Sequence, residues 1–172
     1  AALRAALGMV PQEPVLFSDT LEGNLSFGLD RPDEAWIRAA AELAHLHEDA
    51  LALPQQYSTL VGERGVTLSG GQRRRAALGR ALARRPRYLV LDDPFAAVDA
   101  ATEATILARL RPVFARCTAI LISHRISTLR EADWIVVLEA GRVTAMGTHD
   151  ELMAVSAYYR DLVRRQDIER GL

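Results

Sequence analysis

The five residues Leu68-Ser69-Gly70-Gly71-Gln72 stand at the head of an Arg- and Ala-rich stretch that reads as a helix running to about Ala83. Ser69, with Gln72 three residues on, forms a capping box, in which each side chain satisfies an N–H left free at a helix start. The cap does not account for Gly70 and Gly71, because each glycine costs a helix roughly 1 kcal/mol relative to alanine. Something must require bare backbone there. A helix N-terminus carries unpaired N–H donors and partial positive charge, and glycine lets an anion approach both closely. The pentapeptide therefore predicts a phosphate-facing helix start.

Composition removes the usual companion of such a site. All 21 basic residues are Arg, and there is no Lys. A phosphate loop of the Gly-x4-Gly-Lys-Ser/Thr kind, the Walker A loop, needs its Lys on the phosphates and cannot be present. The 172 residues fit one domain with a real core. A net charge of −1 and a pI of about 6.5 give no global field to recruit nucleic acid or a membrane surface. Arg73, Arg74, Arg75, Arg80, Arg84, Arg85 and Arg87 form the most basic stretch, but on a near-neutral chain they read as solvated arginines rather than a nucleic-acid patch. The single cysteine, Cys117, lies in an apolar run and reads as a buried thiol in a reducing compartment. No apolar run approaches the roughly 18 residues needed to cross a bilayer. The chain opens without Met, and Ala1–Val10 already reads as the approach to a buried strand, so a longer parent protein is expected.

Leu7–Val10 is a short apolar strand stopped by Pro11, and Gln12-Glu13-Pro14 leads through Val15–Thr20 into a short helix. Asp33 begins a helix to about Ala44, with Trp36, Ile37, Ala40 and Leu43 on one face. His45 and His47 read as an i, i+2 helical pair pointing to different sides, without the third ligand a metal site needs. Pro54–Thr67 is a loop region. Tyr88–Leu91 is an uninterrupted apolar run ending in Asp92-Asp93-Pro94, which fits a strand buried on both faces of a parallel sheet with two carboxylates at its carboxyl end. Asp99 caps a helix from Ala100 to Leu110, and Thr118–Ile122 is the next buried strand, closing in Ser123-His124-Arg125 and a short helix to Arg130. Trp134–Leu138 and Val143–Met146 form a hairpin about Ala140-Gly141, Thr148 and Glu151 form a second capping box, and the last helix covers about Tyr158–Gln166. Strands alternating with helices predict an α/β fold with a mostly parallel sheet.

These residues carry a resemblance. The chain resembles the nucleotide-binding domain of an ABC transporter: Leu68–Gln72 matches the signature motif, Tyr88–Asp92 the Walker B strand, Gln12 the Q-loop glutamine, Ala97-Val98-Asp99 the D-loop and His124 the switch histidine. The resemblance implies a P-loop NTPase-like ABC ATPase fold truncated at its N-terminus, with a helical subdomain beside the mostly parallel sheet. It divides the chain into a Q-loop region (1–20), a helical subdomain with the signature (about 21–86), a Walker B, D-loop and H-loop core (87–150) and C-terminal helices (151–172). It implies ATP and Mg2+ as ligands, with Asp92 and Gln12 toward the metal, Asp93, His124 and Gln12 catalytic, and Ser69, Gly70, Gly71, Gln72 and Asp99 toward nucleotide. Hard carboxylate and amide oxygens suit Mg2+ beside phosphates.

In the family two such domains pair head to tail, so Ser69, Gly70 and Gly71 are expected to close over a partner's ATP. The implied partners are a second nucleotide-binding domain, in a homo- or heterodimer, and a transmembrane domain fused upstream at the cytoplasmic face of the cell membrane; nucleic acid is not among them. Val10–Thr20 resembles an exporter Q-loop region, and Thr59–Gly65 an exporter X-loop with Leu60 where Glu is usual. The position after the Walker B Asp usually holds Glu and here is Asp93. Its stem is shorter by roughly 1.5 Å, and a misplacement of about 1 Å can cost on the order of 100-fold. Asp93 therefore predicts impaired hydrolysis at this domain's own site and one half of an asymmetric exporter. The isolated chain is expected to be inactive, the full dimer an ATPase. Two alternatives stand beside this: a regulatory domain that binds ATP without hydrolysing it, and a soluble ABC ATPase of DNA repair or translation. The last usually carries long insertions between Q-loop and signature, where this chain has residues 13–67 only.

Overall fold

The computed structural model describes residues 2–62 and 65–169. Glu63 and Arg64 of the expected X-loop, and residues 170–172 of the C-terminal segment, lie outside the described residues. The chain divides into two compact units, Ala1–Ile122 and Ser123–Leu172.

The first unit runs α1 (Ala2–Ala5), β1 (Leu7–Val10), β2 (Asp19–Thr20), α2 (Leu21–Ser26), α3 (Glu34–Leu43), α4 (His47–Ala52), a 3₁₀ turn at Gln56–Ser58, β3 (Leu60–Val61), α5 (Gly70–Ala83), β4 (Tyr88–Asp92), α6 (Ala100–Phe114) and β5 (Thr118–Ile122). Strands β1, β4 and β5 form a parallel sheet in that order, with Val10 opposite Leu91 and Asp92 opposite Ile122. The caps read from the sequence are in place: Asp99 accepts from Thr102 N, and Ser69 and Gln72 form the reciprocal box, while Asp33, read as the first helical residue, stands one position earlier as the N-cap of α3 and accepts from Trp36 N. Val10, Leu89 and Leu91 are fully buried in one core with Ile37 and Ala40 of α3 and Leu78 and Leu82 of α5.

Several local expectations change. Among the described residues the sheet is covered on one face: Met9, Ile120 and Ile122 are 53, 55 and 51% exposed, whereas Leu89 and Leu91 between them are buried. An unbroken apolar run identifies a strand but not what covers it. Residues 54–67 hold the 3₁₀ turn and β3, which pairs antiparallel with β2, Asp19 opposite Val61 and Thr20 opposite Leu60. The two histidines do not share a helix. His45, at φ 54°, ends α3 in the left-handed region, and His47 opens α4, where its Nδ1 lies 2.8 Å from the Tyr57 hydroxyl. Helix α6 continues past Pro112, which removes only the N–H that would bond Ala108, because Val113 and Phe114 pack on the core.

The second unit runs α7 (Ile126–Leu129), β6 (Ile135–Glu139), β7 (Arg142–Gly147), α8 (His149–Val155) and α9 (Ala157–Glu169). The predicted hairpin is β6–β7, turning through Ala140 and Gly141, both at positive φ. Thr148 and Glu151 cap α8, and Ile126, Ile135, Val137, Leu152, Tyr159 and Val163 make a separate small core.

Candidate functional site

The register of β1 with β4 positions the acidic and amide groups. Val10 pairs with Leu91, so Gln12 and Asp93 leave adjacent carboxyl ends of a parallel sheet, the place where open α/β sheets hold ligands. Asp93 N donates to Ile122 O at 2.8 Å, which ties the turn to β5 as well. Asp93 adopts φ 45°, the left-handed region that Asp tolerates better than most side chains. Asp92 and Asp93 are half-buried, and Gln12 is exposed.

After Asp93 the chain turns tightly. Phe95 and Val98 anchor it in the core, Val98 N bonds Phe95 O at 3.0 Å, and Asp99 begins α6. The backbone bond from Thr102 holds the Asp99 carboxyl below its ordinary value. The crest of this turn, Ala97, lies against the start of α5. A Cβ on Gly71 would stand 2.8 Å from the Ala97 carbonyl oxygen, whereas one on Gly70 would make ordinary contacts, with Ala97 Cβ at 3.6 Å and guanidinium nitrogens of Arg74 and Arg73 at 3.9 and 4.0 Å. The two glycines thus have different reasons. Gly71 is required by its own chain, whereas Gly70 has room for a methyl group.

Helix α5 also straps the segment after β1. Arg74 Nη2 donates to Gln12 O at 3.3 Å, and Arg80 Nη1 to Val15 O at 2.9 Å. Arg80 further donates to Asn24 O at 2.8 Å and Asn24 Oδ1 at 2.7 Å, with its guanidinium 5.1 and 5.8 Å from the Phe17 and Phe27 ring centres. Asn24, 1% exposed, accepts from Phe17 N at 2.8 Å and donates to Phe17 O at 2.9 Å and Thr20 O at 3.0 Å. Burial pushes the Arg80 pKa down. The arginines are therefore mostly structural rather than solvated: Arg75 bonds Asp49 at 2.5 Å, Arg84 bonds Gly28 O at 3.1 Å, and Gln72 Nε2 bonds Asp49 at 2.8 Å. Sequence reading missed Asn24 and Arg80. The available signal was a polar residue on the apolar face of a short helix.

His124 belongs to the second unit, where it is exposed just before α7. Gln166 of α9 holds the backbone beside it: Gln166 Nε2 donates to His124 O, and Ile126 N donates to Gln166 Oε1 at 2.9 Å. Arg125 N also bonds Ser123 Oγ at 3.0 Å. Cys117 is only partly buried, and desolvation raises its thiol pKa, which leaves it a poor nucleophile. Among the described residues no group of three or more His, Cys, Asp or Glu is placed to hold a metal by itself, and no helix is long and apolar enough to cross a membrane.

A family model described as ABC transporter matches residues 1–96, from β1 through the paired aspartates. The chain belongs to the ABC transporter family. It is an ATP-binding domain of that family, and its α/β architecture is the P-loop ABC ATPase fold. It is 44% identical over 169 residues to the multidrug resistance-like ATP-binding protein MdlA of Escherichia coli (strain K12), covering 98% of this chain and 29% of that protein. It is 42% identical over 168 residues to an ATM1-type heavy metal exporter of Novosphingobium aromaticivorans, covering 98% of this chain and 28% of that protein. A solved bacterial Atm1-family ABC exporter with ATP bound superposes with a TM-score of 0.88 at 42% identity, over 95% of this chain and 28% of that one. The ABC transporter chain described here thus spans under a third of these relatives.

Proposed function

We propose that this chain is part of an exporter ATPase. It contributes Gln12, Asp92, Asp93 and His124 to its own nucleotide site, and Ser69, Gly70, Gly71 and Gln72 to a partner domain's site. The observation that carries the reading is the pairing of Val10 with Leu91, which sets an amide and two carboxylates at neighbouring strand ends. Those oxygens are the hard donors that Mg2+ accepts beside phosphates. Bound ATP and Mg2+ supply the phosphoryl group and the charge neutralisation that hydrolysis needs. Asp92 and Gln12 hold the metal side, Asp93 orients or deprotonates the attacking water, and His124 supports the γ-phosphate. The bare backbone at Gly70, flanked by the Arg73 and Arg74 guanidinium groups, suits the close approach of a partner's phosphate to the N–H groups that start α5. Asp99 serves the interface between the two sites.

The division into Q-loop region, helical subdomain (about 21–86), catalytic core (87–150) and C-terminal helices follows the same reading. So does a fused membrane domain on the cytoplasmic side. Its docking place is the surface where β2 pairs with β3, because this joins the Q-loop exit to the X-loop stretch and exposes Val15, Phe17, Phe27 and Leu60.

Asp93 motivates the finer proposal that this domain's own site is impaired while its signature supports hydrolysis in trans. The test is steady-state ATP turnover of the full-length dimer. Asp93→Glu is expected to raise turnover several-fold, toward the limit of about 100-fold that a 1 Å correction allows, and Gly70→Asp to abolish the partner site's share. Unchanged turnover in Asp93→Glu would mean that impaired hydrolysis at this site is not what limits the rate, and unchanged turnover in Gly70→Asp would remove the signature from the mechanism.

A further inference from the structure

On α9, Tyr159 and Val163 face the core of the second unit, and Gln166 continues the same stripe at i+7. An apolar side chain is the default there, so a half-buried amide calls for a reason. The reason lies in α7. Its N-cap, Arg125, makes no side-chain capping bond and has extended backbone, φ −87° and ψ 121°. In an extended residue the preceding carbonyl and the following N–H lie on one edge. Gln166 meets both, donating to His124 O and accepting from Ile126 N at 2.9 Å. A side-chain amide has one donor side and one acceptor side, and so matches this edge as a neighbouring strand would. It also satisfies the first free N–H of α7 across 40 residues of chain.

From this geometry we infer that Gln166 is the positioning residue for His124, fixing the backbone on which the switch histidine is presented. The inference rests on the proposed role of His124. Gln166 touches no reacting group and acts through the His124–Ile126 backbone alone.

The test uses the full-length transporter and two readouts. Amide hydrogen exchange at Ile126 reports the clamp itself. Gln166→Leu keeps the apolar stripe filled and removes both bonds, so Ile126 is expected to exchange at least about 10-fold faster while the Tyr159 and Val163 amides keep their protection. Gln166→Glu keeps the acceptor but sets a second acceptor against the His124 carbonyl, and is expected to give an intermediate rate. ATP turnover reports the consequence in the Asp93→Glu background, where this domain's own site is expected to hydrolyse: Gln166→Leu is expected to cancel most of the several-fold gain in kcat that Asp93→Glu brings, with a smaller change in KM. Unaltered Ile126 exchange in Gln166→Leu overturns the inference whatever turnover does. Fast Ile126 exchange with turnover unchanged also overturns it, provided His124→Ala reduces turnover in the same background. If His124→Ala itself has no effect, the proposed role of His124 fails instead, and the exchange data alone decide whether Gln166 holds the loop. Should Gln166→Leu not fold, Gln166→Glu carries the same two readouts.

Discussion

Gly70 and Gly71 look equivalent in a sequence and are not. At Gly71 a methyl group meets a carbonyl oxygen at 2.8 Å, so a backbone must shift; at Gly70 the nearest atom is a methyl at 3.6 Å. Alanine adds up to about 1 kcal/mol of helix propensity, while overpacking costs about 1–3 kcal/mol. Gly71→Ala is therefore expected to lower the urea midpoint and Gly70→Ala to leave it level or raise it. Equal midpoints for the two variants would mean that the turn at Ala97 yields freely. Tyr57 offers a pH prediction of the same kind. Burial raises its hydroxyl pKa from 10.0 to about 12, against a smaller lowering by Arg38. A raised folded-state pKa means that the stability is complete below the unfolded value near 10 and is lost as pH rises through the folded value near 12. Unfolding followed between pH 9 and 12 is expected to show this decline, and Tyr57→Phe to flatten it.

At the scale of elements, the segment between β1 and α2 is held by side chains rather than by its own secondary structure. Asn24 and Arg80 join the backbone of residues 15–20 to α2 and α5 with six bonds of 3.0 Å or shorter, besides the tilted contact of the Phe17 and Phe27 rings. Removing the Asn24 amide leaves several buried groups unpaired at about 1–3 kcal/mol each. Asn24→Ala is expected to cost at least about 3 kcal/mol in chemical unfolding. A loss below 1 kcal/mol would show that water replaces the amide. This clamp also holds the surface beside Phe17, 43% exposed, which is the proposed docking place for a membrane domain. The caps of α5, α6 and α8 were legible because a capping side chain and its target lie three residues apart. The pairing of β2 with β3 was not legible, since two two-residue strands forty positions apart leave no periodic pattern.

For the molecule as a whole, the chain carries the groups proposed to surround a nucleotide, and its 172 residues hold no Lys with which a Walker A loop would grip the phosphates. Mg-ATP titrated into the isolated 172-residue chain is expected to give no saturable heat. Saturable binding in the micromolar range would mean that the strand-end carboxylates and α5 suffice without that loop. The one-sided sheet belongs to this scale too, because what covers a strand depends on elements far from it in sequence.

The sequence by itself determined the element types, the helix caps, the order of the five motifs and hence the family, because each depends on residue identity over a few positions. Tertiary structure decided why Gly71 must be bare, that the arginines of α5 bind carbonyls rather than water, and that the Gln166 side-chain amide holds the backbone at His124. Those facts depend on which backbone atoms come to face one another across 26 to 65 residues, and a linear pattern has no access to such distances.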